Sequence, residues 1–411
     1  MREDVALDAT EPGPAYPMRR GHPLAPPPDL SRLRAGPAAT RVTLWDGSTV
    51  WLVTAYRHIR AVLVDRRFTA VTSAPGFPML TSTSTLVRAQ PGTASFIRMD
   101  DPDHARLRSM LTRDFLVRNA EDARPVIRDL LDELLDDVVA GDRPADLVAK
   151  LALPVPSRVI ALLLGIPPQD REFFEERGAI LIDRSYTPDQ VAAARDDLDN
   201  YLAGLVADRM ADPGTDLVSR LVTEHVRPGR LAVGEMVPMC RLLLVAGHGT
   251  TASQAGLSLL SLLTEPGLSD ALRRDPALLP GTVDELLRFH SIVQNGLARA
   301  ATEDVVLDDV TIAAGEGVVL ALAAGNRDDT RFPDPDVLDP QRATRNHLAF
   351  GHGIHQCLGQ WLARVELEEM LAAVLRRLPG ARLAVPFDEL VFRPEVSSYG
   401  LAALPVDWAD G

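Results

Sequence analysis

From Pro102 onward apolar residues return every three or four positions over most of the chain, the spacing of helices that bury one face. Two of these runs are long: residues 236–263, and residues 361–378 near the C-terminus. Pro154-Val155-Pro156, Pro167-Pro168 and Asp212-Pro213-Gly214 punctuate the helical part, because proline and glycine interrupt helices. The first hundred residues read differently. Residues 41–53 alternate and turn at Asp46-Gly47, a β-hairpin signal, and residues 56–63 then turn helical. Residues 1–40, rich in Pro and Gly, predict an irregular N-terminal arm, and residues 70–97 a long Ser/Thr/Gly/Pro loop of the length that usually serves a function. Short β-like pieces come back only at Val305, Val318 and Tyr399. The pattern predicts a mainly α protein with minor β (α+β), in which distant ends of the chain build a small mixed sheet. No repeat or linker divides it, so residues 1–411 are expected to form one domain.

Composition narrows the class. With 46% hydrophobic and 24% charged residues among 411, the chain can bury a large core. A formal net charge of −14 argues against nucleic acid or an anionic membrane as the main partner. There is no apolar run of the roughly 18 residues that a membrane span needs, and the acidic, prolyl N-terminus has no signal-peptide core. A cytoplasmic, unanchored monomer is expected. Two cysteines, Cys240 and Cys357, make no disulfide framework.

The chemistry concentrates at residues 350–359, F-G-H-G-I-H-Q-C-L-G. Cys357 follows a glycine-rich turn and precedes the helix of residues 361–378, where unpaired N–H groups and the helix dipole favour a thiolate, either metal ligand or nucleophile. Gly351, Gly353 and Gly359 let a flat, bulky group approach the backbone. Two other readings are a buried structural cysteine and a zinc site from His352, His355 and Cys357, which lacks a fourth ligand at finger-like spacing.

With Phe350, Gly351, Gly353, His355, Cys357 and Gly359 all in register, the loop resembles the haem-binding loop of the cytochrome P-450 haem-thiolate monooxygenases. The resemblance extends over roughly residues 40–407 and implies that fold, with haem b on Cys357 and O2 as co-substrate. It implies that His104 and Arg108, one turn apart in the stretch from Asp100 to Phe115, hold the haem propionates together with Arg299 and His355. In A-G-H-G-T-T, Ala246 to Thr251, two glycines and two threonines lie inside a leucine-rich helix. The Thr250 hydroxyl can bond the Ala246 carbonyl one turn back, and the resemblance makes Thr250, with Thr251 beside it, the threonine that steadies dioxygen and its protons. The E-L-L-R of Glu285 to Arg288 would lock onto Arg342 and brace the thiolate loop.

One position departs from the family. Gly249 stands where a carboxylate usually relays protons. Water entering the freed space, another carboxylate, or a reaction that does not end in hydroxylation would each account for the change. His248 reads as a packed core histidine rather than a base. Val293, Gln294, Asn295 and Ser397 are expected to face substrate, with satisfaction of nearby backbone an equal alternative for the two amides. The function implied is monooxygenation of a small, natural-product-like molecule with electrons from a ferredoxin and ferredoxin reductase, docking near Arg106, Arg113, Arg345 and Arg364. Two alternatives stand beside it: oxidative C–C or C–N aryl coupling of an aromatic or cyclic-dipeptide-like substrate, and a non-catalytic haem-binding sensor or recruitment domain.

Overall fold

A computed structural model describes residues 13–81, 95–183, 185–342 and 344–409. The middle of the predicted long loop, from residue 82 to 94, therefore lies outside the described residues. The helices are α1 (Pro28–Arg34), α2 (Tyr56–Val64), α3 (Asp103–Thr112), α4 (Val117–Ala140), α5 (Pro154–Leu164), α6 (Arg171–Ile182), α7 (Pro188–Ala211), α8 (Leu217–Leu221), α9 (Val233–Thr264), α10 (Leu268–Arg274), α11 (Leu279–His290), α12 (Leu322–Gly325) and α13 (Gln360–Arg377). The strands are β1 (Thr40–Thr43), β2 (Thr49–Val53), β3 (Phe68–Thr69), β4 (Ala145–Asp146), β5 (Leu297–Ala301), β6 (Val305–Leu307), β7 (Val310–Ile312), β8 (Gly317–Leu320), β9 (Arg382–Leu383) and β10 (Pro405–Asp407).

The central element is α9. Its leucine-rich sequence is apolar all round, as expected of a helix buried on every side. Its first half gives Met236, Met239, Cys240 and Leu243 to a core shared with α5, α7 and α8. Its second half gives Leu257, Leu259, Leu260 and Leu262 to a core shared with α4, α11 and α13. The position where these two cores meet is the A-G-H-G-T-T stretch. Burying a leucine is worth about 1.5–3 kcal/mol, so each half is anchored independently and the polar middle is held between them.

The sheet joins far-apart segments as the pattern predicted. The order β1-β2-β8-β5-β3 pairs Val42 with Val50 across the hairpin and Leu52 with Val319 in parallel. Strand β5 carries Arg299 at its centre and runs antiparallel to β8, with Arg299 opposite Val318. At the other end β10 pairs with both β4 and β9.

Several local expectations change. The arm is not irregular throughout, since Pro28 opens α1 from its first position, where a preset φ and a missing N–H cost nothing. Ala15 bridges Thr43 within the same arm. Pro154 and Pro156 likewise start α5 instead of merely breaking a helix. Pro125 and Pro238 lie inside α4 and α9. Among the described residues no helix is long and apolar enough to cross a membrane.

Candidate active site

The thiol loop is built by glycine geometry. Gly351 and Gly353 adopt φ of 70° and 75°, which L side chains avoid. A Cβ on Gly353 would also strike the Leu63 carbonyl oxygen at 2.4 Å. The loop then closes on itself, with the Cys357 N–H donating to the Phe350 carbonyl at 2.8 Å and that of Gln356 to Gly353 at 3.0 Å. Gly359 caps α13, and a Cβ there would meet no atom within 4 Å. The Cys357 thiol is accessible yet deep within the molecule. Burial pushes its pKa up, while the Gly359 N–H, Arg108 and Arg364 pull it down. The zinc reading finds no support: among the described residues no three His, Cys, Asp or Glu side chains are placed to hold an ion.

Beside the loop lies a cluster of cations. The rings of His104 and His355 stand 4.2 Å apart between centroids, and the Nε2 atom of each is buried without a hydrogen-bond partner. Burial, then Arg299, His104 and Arg108, push His355 down to about 3. Burial and Arg98 push Arg299 down to about 10. Arg108 donates to the Gln356 carbonyl at 2.5 Å. The four predicted residues thus come together. A fifth, the half-buried Arg98, was missed because it lies outside any recognisable motif, in the segment that precedes α3. Unpaired buried donors and crowded cations call for an anion. A planar macrocycle with two carboxylates and a thiolate-ligated iron, the haem of the resembled family, fits this donor set.

Above the thiol, α9 runs unbroken from Val233 to Thr264, so the glycines do not interrupt it. The Thr250 hydroxyl donates to the Ala246 carbonyl at 2.6 Å, as expected. Ala246 is exposed in the middle of this otherwise buried helix, and Thr251 is buried. Gly249 does not leave room for water: a Cβ there would lie 2.4 Å from Cδ1 of Ile182, which fills the place of the missing carboxylate. His248 faces α5 and α6 in a small cavity with Ser157 and Arg171, and burial keeps it neutral against the opposing pull of Glu175.

The brace behind the loop has Glu285 and Arg288 fully buried and Arg342 nearly so. Arg288 donates to both carboxylate oxygens of Glu285 at 2.7 and 2.8 Å, and Arg342 Nε to Glu285 at 3.0 Å. Arg288 and Arg342 also gather the carbonyls of Pro335, Asp334 and Val337. A second brace was missed. Asp284 accepts from Arg364 at 2.8 Å; burial draws the carboxyl up, but His347 and Arg364 hold it below its usual range. The Arg364 guanidinium lies 4.6 Å over the Phe350 ring, so Phe350 is gripped from behind.

The expected substrate wall divides. Gln294 donates to the carbonyls of Pro394 at 2.8 Å and Val396 at 3.0 Å, so its amide hydrogens are spent on backbone. Asn295 is buried with Oδ1 unpartnered. Val293 bridges Ser398. Ser397 is exposed, and its N–H donates to the Ile182 carbonyl at 3.1 Å. The expected basic patch also dissolves: Arg364 is buried, while Arg106 and Arg113 are paired with Glu235 and Glu224. Only Arg345 remains exposed with no ion pair shown.

Comparison with known proteins gives one consistent result. The sequence profile described as Cytochrome P450 matches residues 189–379. Cytochrome P450-SU2 of Streptomyces griseolus is 48% identical over 389 residues, 94% of this chain and 95% of that protein. Pentalenic acid synthase of Streptomyces avermitilis is 43% identical over 405 residues, 97% of this chain and 100% of that protein. Among solved structures, mycinamicin VIII C21 methyl hydroxylase MycCI of Micromonospora griseorubida, bound to mycinamicin VIII, superposes with a TM-score of 0.90 at 41% identity. That match covers 96% of this chain and 100% of the other.

Proposed function

The chain belongs to the cytochrome P450 family, and we propose that it carries haem b on the Cys357 thiolate and oxidises a small natural product with O2. The two electrons come from a ferredoxin served by a ferredoxin reductase. That it is a monooxygenase, using haem and O2, follows from the family. The names of its relatives, among them a pentalenic acid synthase and a mycinamicin VIII C21 methyl hydroxylase, point to natural-product tailoring. The observation that carries the cofactor assignment is the pair of buried, unpartnered imidazole nitrogens of His104 and His355 beside Arg98, Arg108 and Arg299.

When bound, haem supplies the site at which O2 is reduced and cleaved, with the thiolate donating electron density. The chain's own residues do the rest. His104, His355, Arg98, Arg108 and Arg299 would hold the propionates by charge-assisted hydrogen bonds. Thr250 keeps its hydroxyl hydrogen on the Ala246 carbonyl, leaving oxygen lone pairs free to accept a proton-bearing partner, and Thr251 and Gly249 shape the same turn. Ile182, Val293 and the turn around Ser397 contribute the substrate wall, and the Asn295 oxygen is a buried acceptor left for a substrate donor. Glu285, Arg288 and Arg342 keep the loop from yielding.

Oxidative coupling stands as the second reaction, but one of its motives is gone, because Gln294 has no amide hydrogen left to grip a peptide. The sensor reading gives way to membership in a family whose relatives are named enzymes. The test is optical and then chemical. Reduced protein with carbon monoxide is expected to show the red-shifted band of a thiolate-ligated haem, lost in Cys357→Ser. With a surrogate ferredoxin and reductase, the product should gain one oxygen atom. A colourless protein refutes the assignment, and a product that has only lost two hydrogens moves it to coupling.

A further inference from the structure

Gly249 on α9 and Ile182 at the end of α6 lie directly against each other. A Cβ on Gly249 would lie 2.4 Å from Cδ1 of Ile182, inside van der Waals contact, and 3.9 Å from its Cγ1, an ordinary contact. The end of an isoleucine side chain is therefore seated against the bare backbone of α9, one residue before Thr250. With Ile182 in this rotamer, any side chain larger than glycine's at position 249 would have to push its δ-methyl aside.

Ile182 is also the point where the cavity's other walls are tied. It is the last residue of α6, and its carbonyl accepts the Ser397 N–H at 3.1 Å. The next residue, Asp183, bridges Val396 and accepts from Arg393 Nη2 at 2.7 Å. From the other side Gln294 holds the carbonyls of Pro394 and Val396, and the Tyr399 N–H donates to Ile292 at 2.8 Å. The end of α6, the turn at residues 393–399 and the segment at residues 292–295 thus form one bonded frame, and Ile182 is the side chain that this frame inserts into α9.

We propose that Gly249 is a socket for Ile182, and that the seated side chain closes the substrate cavity beside Thr250, selecting substrates that bring hydrocarbon rather than a polar group to that wall. The exchange of an acid for glycine is then half of a paired change: the wall that would carry a carboxylate carries a δ-methyl group. Apolar contact discriminates by shape and by desolvation, since a polar substituent pressed against Ile182 would lose its water without gaining a partner. This deepens the proposed function and rests on it for the identity of the cavity, but the socket itself does not.

The experiment is a double-substitution cycle of Gly249→Ala and Ile182→Ala on the full chain, read in two ways. Thermal melting reads the socket. Alanine in a helix interior is intrinsically better than glycine, so Gly249→Ala should raise the melting temperature more in the Ile182→Ala background than with Ile182 present. Optical titration with imidazole and with phenylimidazole reads the wall. Ile182→Ala should shift the ratio of the two dissociation constants about tenfold toward the bulkier probe, which is about 1.4 kcal/mol. Gly249→Ala should disturb that ratio only while Ile182 is there to be displaced. Equal melting shifts in both backgrounds overturn the proposal. So does coupled melting with an unchanged probe ratio, which would leave a packing contact and no gate. Should the protein bind no haem, the titrations give no signal and the proposed function fails, while the melting cycle still judges the socket.

Discussion

Gln294 shows how one side chain redirects a functional reading. Its sequence context offered an amide to substrate, but both amide hydrogens are engaged by the carbonyls of Pro394 and Val396. Gln294→Leu is therefore expected to cost about 1–3 kcal/mol in chemical denaturation, the penalty for acceptors left behind by a lost donor, and to leave the polarity of accepted substrates unchanged. An altered preference for amide-bearing substrates with intact stability would refute this. Thr250 makes the opposite case. Among the described residues its hydroxyl bonds within its own helix, to Ala246, and a back-bond of this kind contributes little to stability and tends to bend the helix. Thr250→Val should thus melt within a few degrees of the parent, yet yield less product per electron consumed, with the remainder appearing as reduced oxygen species. A loss of folding without a change in that ratio would make Thr250 merely structural.

At the scale of elements, the triad of Glu285, Arg288 and Arg342 joins α11 to the irregular segment ahead of the thiol loop. Glu285 and Arg288 have no solvent exposure. Removing one partner of a buried ion pair costs about 3–5 kcal/mol, because the other charge is left without compensation. Glu285→Ala, which strands two guanidinium groups, is expected at or beyond that range in denaturant titration and should release haem faster, while Arg342→Lys should lose less. This brace was legible in the sequence because E-L-L-R is contiguous and Arg342 closes a recognisable string. The helices from α3 onward were legible for a similar reason, since their apolar spacing is local. What stayed hidden depends on partners far apart in the chain. Arg364 reads as a surface arginine until Asp284, on another helix, is seen to claim it. Arg98 is an unremarkable arginine until its loop folds beside Arg299. Gly249 reads as a vacant place until Ile182 arrives from α6. Proline misled in its own way, because the residue that breaks a helix interior is also a favoured first residue, as at Pro28 and Pro154.

The molecule as a whole carries two opposed pH dependences, and their signs follow from which state binds the proton first. His290, completely enclosed and within 3.0 Å of the Ser261 hydroxyl, is pushed by burial down to about 3. Burial also lowers His104, His225, His248, His347, His352 and His355. Between an ordinary value near 6.5 and the folded value the unfolded chain holds more protons, so stability falls as the pH falls through that window. On the proposed function bound haem would give His104 and His355 partners, which would leave His290 and His347 as the main contributors in the complete enzyme. Glu366 on α13 acts from the other side. Its Oε2 is buried without a partner, and burial raises the carboxyl from 4.5 to about 8. The folded chain then holds the extra proton, and stability declines as the pH rises from about 4.5 to about 8, by at most about 1.4 kcal/mol per unit. The sum is a maximum flanked by both losses. Glu366→Gln keeps the shape and the neutral charge, so it should flatten the alkaline decline and leave the acid limb in place, as followed by denaturant midpoints across the pH range. His290→Gln should do the reverse, easing the loss on acidification. If neither limb moves, the two buried groups do not set the pH dependence of this fold, and the surface ion pairs must.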